Sequence, residues 1–402
     1  MSDKTLDILL RDYTHTFFQQ AHKFRKQLYD LSWLLADSSN YWPSYQSIYS
    51  SGKHPITRSL NRLIGRLSLF GHINSTKINK KLFQYYILPL QQKGIKFTHI
   101  QTFWKSLAKL INSNWQQIHL LSYAELFSLL NTCTRLYFDS INLDADLYSA
   151  DKQSQNTYGL QFYLECRDAL NESTLSFKGL VYLVIKSNWI DNYNFDPSPF
   201  LISFLHEIND VIDNKDWLEE SISSNRLFFL SNLEQEIHGS PKTFLYEVDN
   251  CGEIFFDLLL IEYILTHKHN VILSLKSKPI LNDITYENFQ TIITLTEMTH
   301  FSKYLDTKQF QFIKNETQDV IPIRYLANTD YIKAYKAADC VILKGQGHFE
   351  SYPKYNFHGR HKTPITYNKT HYHLFGIKSQ YTHDSILKMY PHCVRDQLIL
   401  LR

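Results

Sequence analysis

The chain has 402 residues, 44% hydrophobic and 20% charged, which leaves room for two domains and a large core and excludes a disordered chain. Its 42 Lys and Arg nearly balance 39 Asp and Glu, for a formal charge of +3, and no basic stripe with interleaved aromatics occurs, so nucleic acid is not an expected partner. The cysteines Cys133, Cys166, Cys251, Cys340 and Cys393 never form C-x-x-C, which argues against a disulfide framework or a Cys-rich zinc site and fits a reducing, cytoplasmic setting.

From the N-terminus the pattern is helical. No basic, then apolar, leader opens the chain, so no signal peptide is expected. Phe24, Leu28, Leu31 and Leu35 recur at helical spacing, as do Phe103, Trp104, Leu107, Leu110 and Ile111, and Leu126, Phe127, Leu129 and Leu130. Polar breaks fall at Asp37–Pro43, Ser50–Pro55 and Asn142–Asn156. This reads as a mostly helical domain over residues 1–235. After about residue 240 strands alternate with helices, the mark of a mostly parallel α/β sheet over 236–402. Strands are expected at Phe244–Val248, Val271–Leu275 and Cys340–Leu343, with a weaker one at Phe310–Ile313. Helices are expected at Ile254–Leu265, Tyr286–Glu297 and Thr329–Ala338. The Ile254–Leu265 run is interrupted by Asp257 and Glu262 and is too short to span a bilayer, so no membrane association is expected. The last stretch, rich in His, Tyr and Lys, is expected to add one strand or helix and a loop over the crevice.

Asp249 and Asn250 stand at the carboxyl end of the first parallel strand, where open α/β sheets bind ligands, and offer hard oxygen donors there. A dinucleotide-binding turn would carry several glycines at this point, and this one has Gly252 alone. Two further patches follow strands, Pro279–Thr285 with Asn282 and Asp283, and Lys344–Glu350 with Gly345, Gly347 and His348; a fourth, Ser187–Asp191, contains Asn188. Each has an ordinary alternative. Asp249-Asn250 or Asn282-Asp283 could cap the following helix, Lys344 could be a solvated turn lysine, and Asn188 with Asp191 could be a polar helix boundary. Together, two carboxylates, an amide and a lysine on a glycine turn make a site for a hard cation such as magnesium or manganese beside a phosphate-neutralising group. His348, His358, His361, His371 and His373 lack metal-ligand spacing and are expected on the surface or in a lid, with a catalytic role for His348 left open.

Asp-Asn-Cys-Gly-Glu at 249–253, Pro-Ile-Leu-Asn-Asp-Ile-Thr at 279–285 and Ala-Asp-Cys-Val-Ile-Leu-Lys-Gly-Gln-Gly-His-Phe-Glu at 338–350 resemble, in the same order, the signature blocks of the damage-control phosphatases, the ARMT-like metal-binding domain family. Lys186–Asp191 is similar to the family's Gly-Asn-x-Ile-Asp segment, and Cys166–Asn171 sits where a looser Arg-containing segment is expected, so the resemblance runs from about residue 160 onward. It implies a helical domain packed on a three-layer α/β/α sandwich. It also implies a divalent-metal-dependent phosphatase for small phosphometabolites, working with manganese, magnesium, cobalt or nickel. Asp249, Asn250 and Asp283 would be the metal ligands. Asn188 and Lys344 would face the phosphate, and Asp191, Glu253, Gly345 and His348 would complete the substrate side. The attacking group would be water or a carboxylate, with Asp249 the first candidate for the latter.

This sequence departs from the family at His348, where Asn is usual, at Ser277-Lys278 in place of Gly-Gly, and at Ser187 in place of Gly, which points to altered substrate recognition. The rival readings are an S-adenosylmethionine-dependent carboxyl methyltransferase, since some members have been described so, and an inactive binding protein on the same fold. The expected partner is a small phosphorylated metabolite; the oligomeric state is not legible.

Overall fold

The computed structural model describes residues 149–190, 198–315, 328–351, 369–378, 380–387 and 397–401, with scattered positions among 8–19, 129–148 and 390–394. The helical stripes at Phe24–Leu35 and Phe103–Ile111, and Asp191, His358 and His361, lie outside the described residues. The chain divides into two compact units. In the first, which contains Met1–Tyr148, the described residues 10–19 are helical. The second takes in Ser149–Thr317, Leu326–Tyr352 and Pro364–Arg402 and holds the sheet.

Helices open this second unit: α1 (Ser149–Asn171), α2 (Phe177–Lys186) running into a 3-10 turn at Ser187–Trp189, α3 (Ser198–Asp213), α4 (Lys215–Ser224) and α5 (Leu230–His238). Then β1 (Thr243–Glu247), α6 (Glu253–Thr266), β2 (Asn270–Leu275), α7 (Tyr286–Ile293), α8 (Ser302–Asp306) and β3 (Phe310–Lys314) alternate. α9 (Thr329–Ala337), β4 (Cys340–Lys344), α10 (Gln346–Ser351), β5 (Thr370–Gly376), α11 (Gln380–Leu387) and β6 (Leu398–Leu401) complete it. The six strands form one sheet in the order β3-β2-β1-β4-β5-β6, parallel throughout except for the antiparallel β5–β6 pair.

The expected strands are present within a residue or two at each end. The C-terminal stretch holds more than the one element expected of it, because Thr370–Gly376 is a buried strand despite its histidines and Leu398–Leu401 pairs antiparallel against it. α7 stops at Ile293, where a 3-10 segment at Thr296–Phe301 takes over from the longer helix expected.

Alternation along the strands sorts the core into layers. Phe244, Tyr246, Leu273, Ile342 and Tyr372 face a core shared with α1, α2 and α6, while Leu245, Val341 and Leu343 face Tyr331, Ala334 and Tyr335 of α9. Phe375 and Ile399 on that second face pack with Phe349 and with Ile386 of α11. The result is an α/β/α sandwich. α6 is apolar nearly all round, so it cannot present a face to water and must be covered on both sides. The sheet covers one side; α1, α2 and α3 cover the other. Helices α1 to α5, read from sequence as part of a helical domain of residues 1–235, therefore share the sheet's compact unit. Around Phe256 the rings of Phe162 and Phe204 lie at 6.4 and 5.4 Å.

All five cysteines are buried thiols, and no helix among the described residues is long and apolar enough to cross a membrane. Phe256→Ala is expected to cost about 3–5 kcal/mol by emptying this aromatic contact, read as a lowered urea midpoint.

Candidate active site

The sheet order changes direction between β1 and its neighbours: β2 lies on one side of β1 and β4 on the other. The crevice beyond the carboxyl ends of β1 and β4 is therefore the topological switch point at which α/β sheets bind ligands. Asp249 and Asn250 follow β1, and Gly345 follows β4.

A second set of contacts brings the β2 loop to the same place. Asn250 and Asp283 form an isolated antiparallel bridge; Ile284 N–H donates to the Asp249 carbonyl at 3.0 Å, and Cys251 N–H to the Asn282 carbonyl at 2.9 Å. Pairing of the two turns thus juxtaposes Asp249, Asn250 and Asp283. The capping alternatives fall away. The N-cap position of α6 is Gly252, which carries no side chain to cap with and adopts φ +78°, and α7 is capped by Thr285 in a reciprocal box with Asn288. Gly345, at φ +87°, lies so near that a Cβ there would overlap the Asp249 carboxylate.

Glu253, fully buried at the start of α6, organises the amides. It accepts from Asn250 Nδ2 at 2.8 Å and from Asn188 Nδ2 at 3.0 and 3.1 Å. With its nitrogen committed to Glu253, Asn250 keeps only its carbonyl oxygen as an atom able to meet a cation. Asn188 sits in the 3-10 turn after α2; its Nδ2 also lies 3.4 Å from Asp249 Oδ2, and its Oδ1 accepts Gly376 N–H at 3.3 Å.

Lys344 is not a solvated lysine. Its ammonium is fully buried, donates to the Val184 carbonyl, and lies 3.4 Å from Glu253 Oε2, from Asp257 Oδ1 and from Ser187 Oγ. It would reach a phosphate only by giving up one of these acceptors. Tyr246 O–H donates to Asp257 Oδ1 at 2.8 Å. Burial, opposed by Lys344 and reinforced by Glu253, pushes the Asp257 carboxyl up to about 6. Burial beside Asp257 likewise pushes Tyr246 well above the usual phenol range.

Asp283 is buried against Lys276, the residue just after β2; Lys344 is the last residue of β4. Burial raises its carboxyl, and the charges of Lys276, Lys152 and His348 pull the other way. His348 is buried in α10: Nδ1 bonds the Lys344 carbonyl, and Nε2 lies 3.3 Å from Glu247 Oε2, whose partner oxygen accepts Tyr331 O–H at 2.5 Å.

The expectation of surface or lid histidines is corrected for His348, buried on α10, and for His371 and His373, buried because β5 is covered on both faces; His371 bonds Tyr335 O–H at 2.9 Å. Among the described residues no three His, Cys, Asp or Glu side chains form a metal cluster. The donor set here is two carboxylates and an amide carbonyl instead, which suits a hard cation. Lys152, Glu247, Asp257 and Lys276 escaped the sequence reading. One signal was present, an apolar strand ending in lysine at both Lys276 and Lys344.

The profile of the damage-control phosphatase ARMT1-like domain matches residues 60–387. An uncharacterized protein of Methanocaldococcus jannaschii is 27% identical over 229 residues, 56% of this chain and 67% of that protein. A protein of Pyrococcus horikoshii described as a damage-control phosphatase is 28% identical over 185 residues, 45% of this chain and 55% of that protein. A crystal structure of a DUF89 family protein from Pyrococcus horikoshii superposes with a TM-score of 0.54 at 19% identity, covering 81% of this chain and 98% of that one, a likeness of fold.

Two expectations follow from the geometry. Gly345→Ala should displace the Asp249 carboxylate, at a backbone cost of about 1–2 kcal/mol, checked by chemical unfolding. The Asp257 carboxyl holds its proton more tightly in the fold than in the unfolded chain, so its stabilisation is complete below about pH 4 and lost as pH rises through about 6. Asp257→Asn removes that slope. Relative to wild type, the variant should gain about 3 kcal/mol between about pH 4 and about pH 7 in urea unfolding.

Proposed function

The chain belongs to the damage-control phosphatase ARMT1-like domain family, and from that premise we propose that it is a divalent-metal-dependent phosphatase hydrolysing phosphate monoesters of small metabolites, sugar phosphates or related damaged phosphometabolites. The observation that carries the reading is the pairing of the two turns at the sheet's switch point, which gathers Asp249, Asn250 and Asp283. In this reading those three residues hold manganese, magnesium, cobalt or nickel. The bound cation supplies Lewis acidity and charge compensation at the transferring phosphoryl group. Glu253 aims the Asn250 carbonyl, and Asn188 and Lys344 hold Glu253. Gly345 keeps the crevice open beside Asp249, the candidate either to orient the attacking water or to attack phosphorus itself. The substrate is soluble and phosphorylated, and the setting is the cytoplasm.

The Lys276 ammonium seated on Asp283 favours a second reading, a non-catalytic binding protein in which that ammonium takes the cation's place. The two differ in a single assay. Phosphate release is followed from sugar phosphates, phosphopantetheine compounds and an aryl phosphate, after chelation and again with each metal restored. Turnover is expected only with metal, and Asp283→Ala and Asp249→Ala should reduce it to background along with metal binding. Turnover indifferent to chelation, or kept by both variants, would remove the assignment; a folded protein that binds no metal would favour the second reading.

A further inference from the structure

Glu253 and Asp257 stand one turn apart on the same face of α6, both fully buried. Their duties differ. Glu253 accepts from Asn250 Nδ2 at 2.8 Å and from Asn188 Nδ2 at 3.0 Å, and that same nitrogen of Asn188 lies 3.4 Å from Asp249 Oδ2. Asp257 lies a step deeper and joins this set through Lys344, whose Nζ is 3.4 Å from Asp257 Oδ1 and 3.4 Å from Glu253 Oε2. Each link from Asp257 out to the candidate ligands Asn250 and Asp249 is thus a contact of 3.4 Å or less.

Two carboxylates share this ammonium in a dry interior, where charges are weakly screened. Among the described residues the titratable groups facing Asp257 are Lys344 from β4, Glu253 from its own helix, and Tyr246 from β1, whose O–H donates to Oδ1 at 2.8 Å. Among the same residues Oδ2 meets no donor. Burial leaves this carboxyl half-protonated at about pH 6. A leucine would fill the position on a largely apolar helix without that cost, and the amides are held by Glu253. What Asp257 adds is a charge that can come and go. Ionised, it draws Lys344 from Glu253 and leaves Glu253 the stronger acceptor for Asn250 and Asn188; protonated, it yields Lys344 to Glu253. Negative charge in the core also favours a cation at the crevice, and by linkage a cation there favours loss of the proton.

We propose that Asp257 is a positioning residue whose charge, relayed by Lys344 to Glu253, ties cation uptake at the crevice to the release of one proton from the core to solvent. The assignment rests on the metal-dependent reading and adds to it a source of pH dependence remote from the reacting atoms. The share of Mn2+ affinity that Asp257 supplies grows as pH approaches about 6 and is complete above it, where the carboxyl is already ionised when the cation arrives.

The test is Mn2+ affinity, measured by calorimetry on the full chain from about pH 5 to about pH 8, for wild type, Asp257→Asn and Tyr246→Phe. Asp257→Asn, neutral at every pH, should match wild type at the acid end and bind about 10-fold more weakly at the alkaline end, the gap opening through about pH 6. Tyr246→Phe keeps the carboxyl and removes its donor, so the rise in affinity should move upward by about one pH unit. That second variant carries the test if the asparagine variant does not fold. Equal affinity in wild type and Asp257→Asn across the range, or a rise in Tyr246→Phe at the wild-type midpoint, overturns the assignment and leaves the metal-dependent reading standing. A deficit in Asp257→Asn of the same size at both ends marks Asp257 as a structural support and overturns it too. Wild-type protein that binds no Mn2+ at any pH overturns both.

Discussion

A single ammonium in the dry interior, that of Lys344, sets the terms for the surrounding structure. Between Glu253 and Asp257 it is the counter-charge that lets two fully buried carboxylates of a largely apolar helix lie under a sheet. Without it both would be uncompensated buried charges, a loss of about 3–5 kcal/mol for breaking one such pair. One carboxylate remains partly satisfied even so: Asp257 Oδ2 finds no hydrogen-bond donor among the described residues, consistent with its raised proton affinity. The other, Glu253, transmits the order outward by accepting from Asn250 and Asn188. A chain of polar contacts therefore leads from the core to the crevice, and each link is held in a medium where leaving it unmade is expensive.

At the crevice itself the backbone does the gathering. The turn after β1 and the loop after β2 bond to each other through main-chain groups, so Asp249, Asn250 and Asp283 come together whatever their side chains. Glycine at 252 and 345 permits the positive φ angles this requires, and at 345 leaves room for the Asp249 carboxylate. Helix caps, the competing use for Asp and Asn after a strand, are supplied elsewhere by Thr285 with Asn288. The acidic residues are thereby released from a structural duty.

The strands β1, β2 and β4 and the acidic turns were legible because continuous apolar runs ending in polar clusters are a local pattern. β5 was not, since His371 and His373 alternate with Tyr372 and Leu374 in a segment that composition alone marks as polar. Their burial depends on α9, α10 and β6, which local sequence does not reveal. Lys344 was recognised as part of the site but read as facing solvent and phosphate; Lys152 and Lys276 passed unnoticed, because a lysine's partner is a matter of who arrives from elsewhere in the chain. Val184, Glu253 and Asp257 meet Lys344 across long sequence separations.

Sequence by itself determined the mostly parallel sheet, the hard-oxygen character of the turn after β1, and the family through three blocks in order. These are properties of residue type and spacing, which a one-dimensional string carries in full. Tertiary structure alone decided that Asn250 commits its amide nitrogen to Glu253, that Lys344 looks inward, that the histidines of β5 are buried, and that Lys276 pairs with Asp283. Each of these turns on which groups share a low-dielectric space, and that is settled by packing between distant segments rather than by the neighbours along the chain.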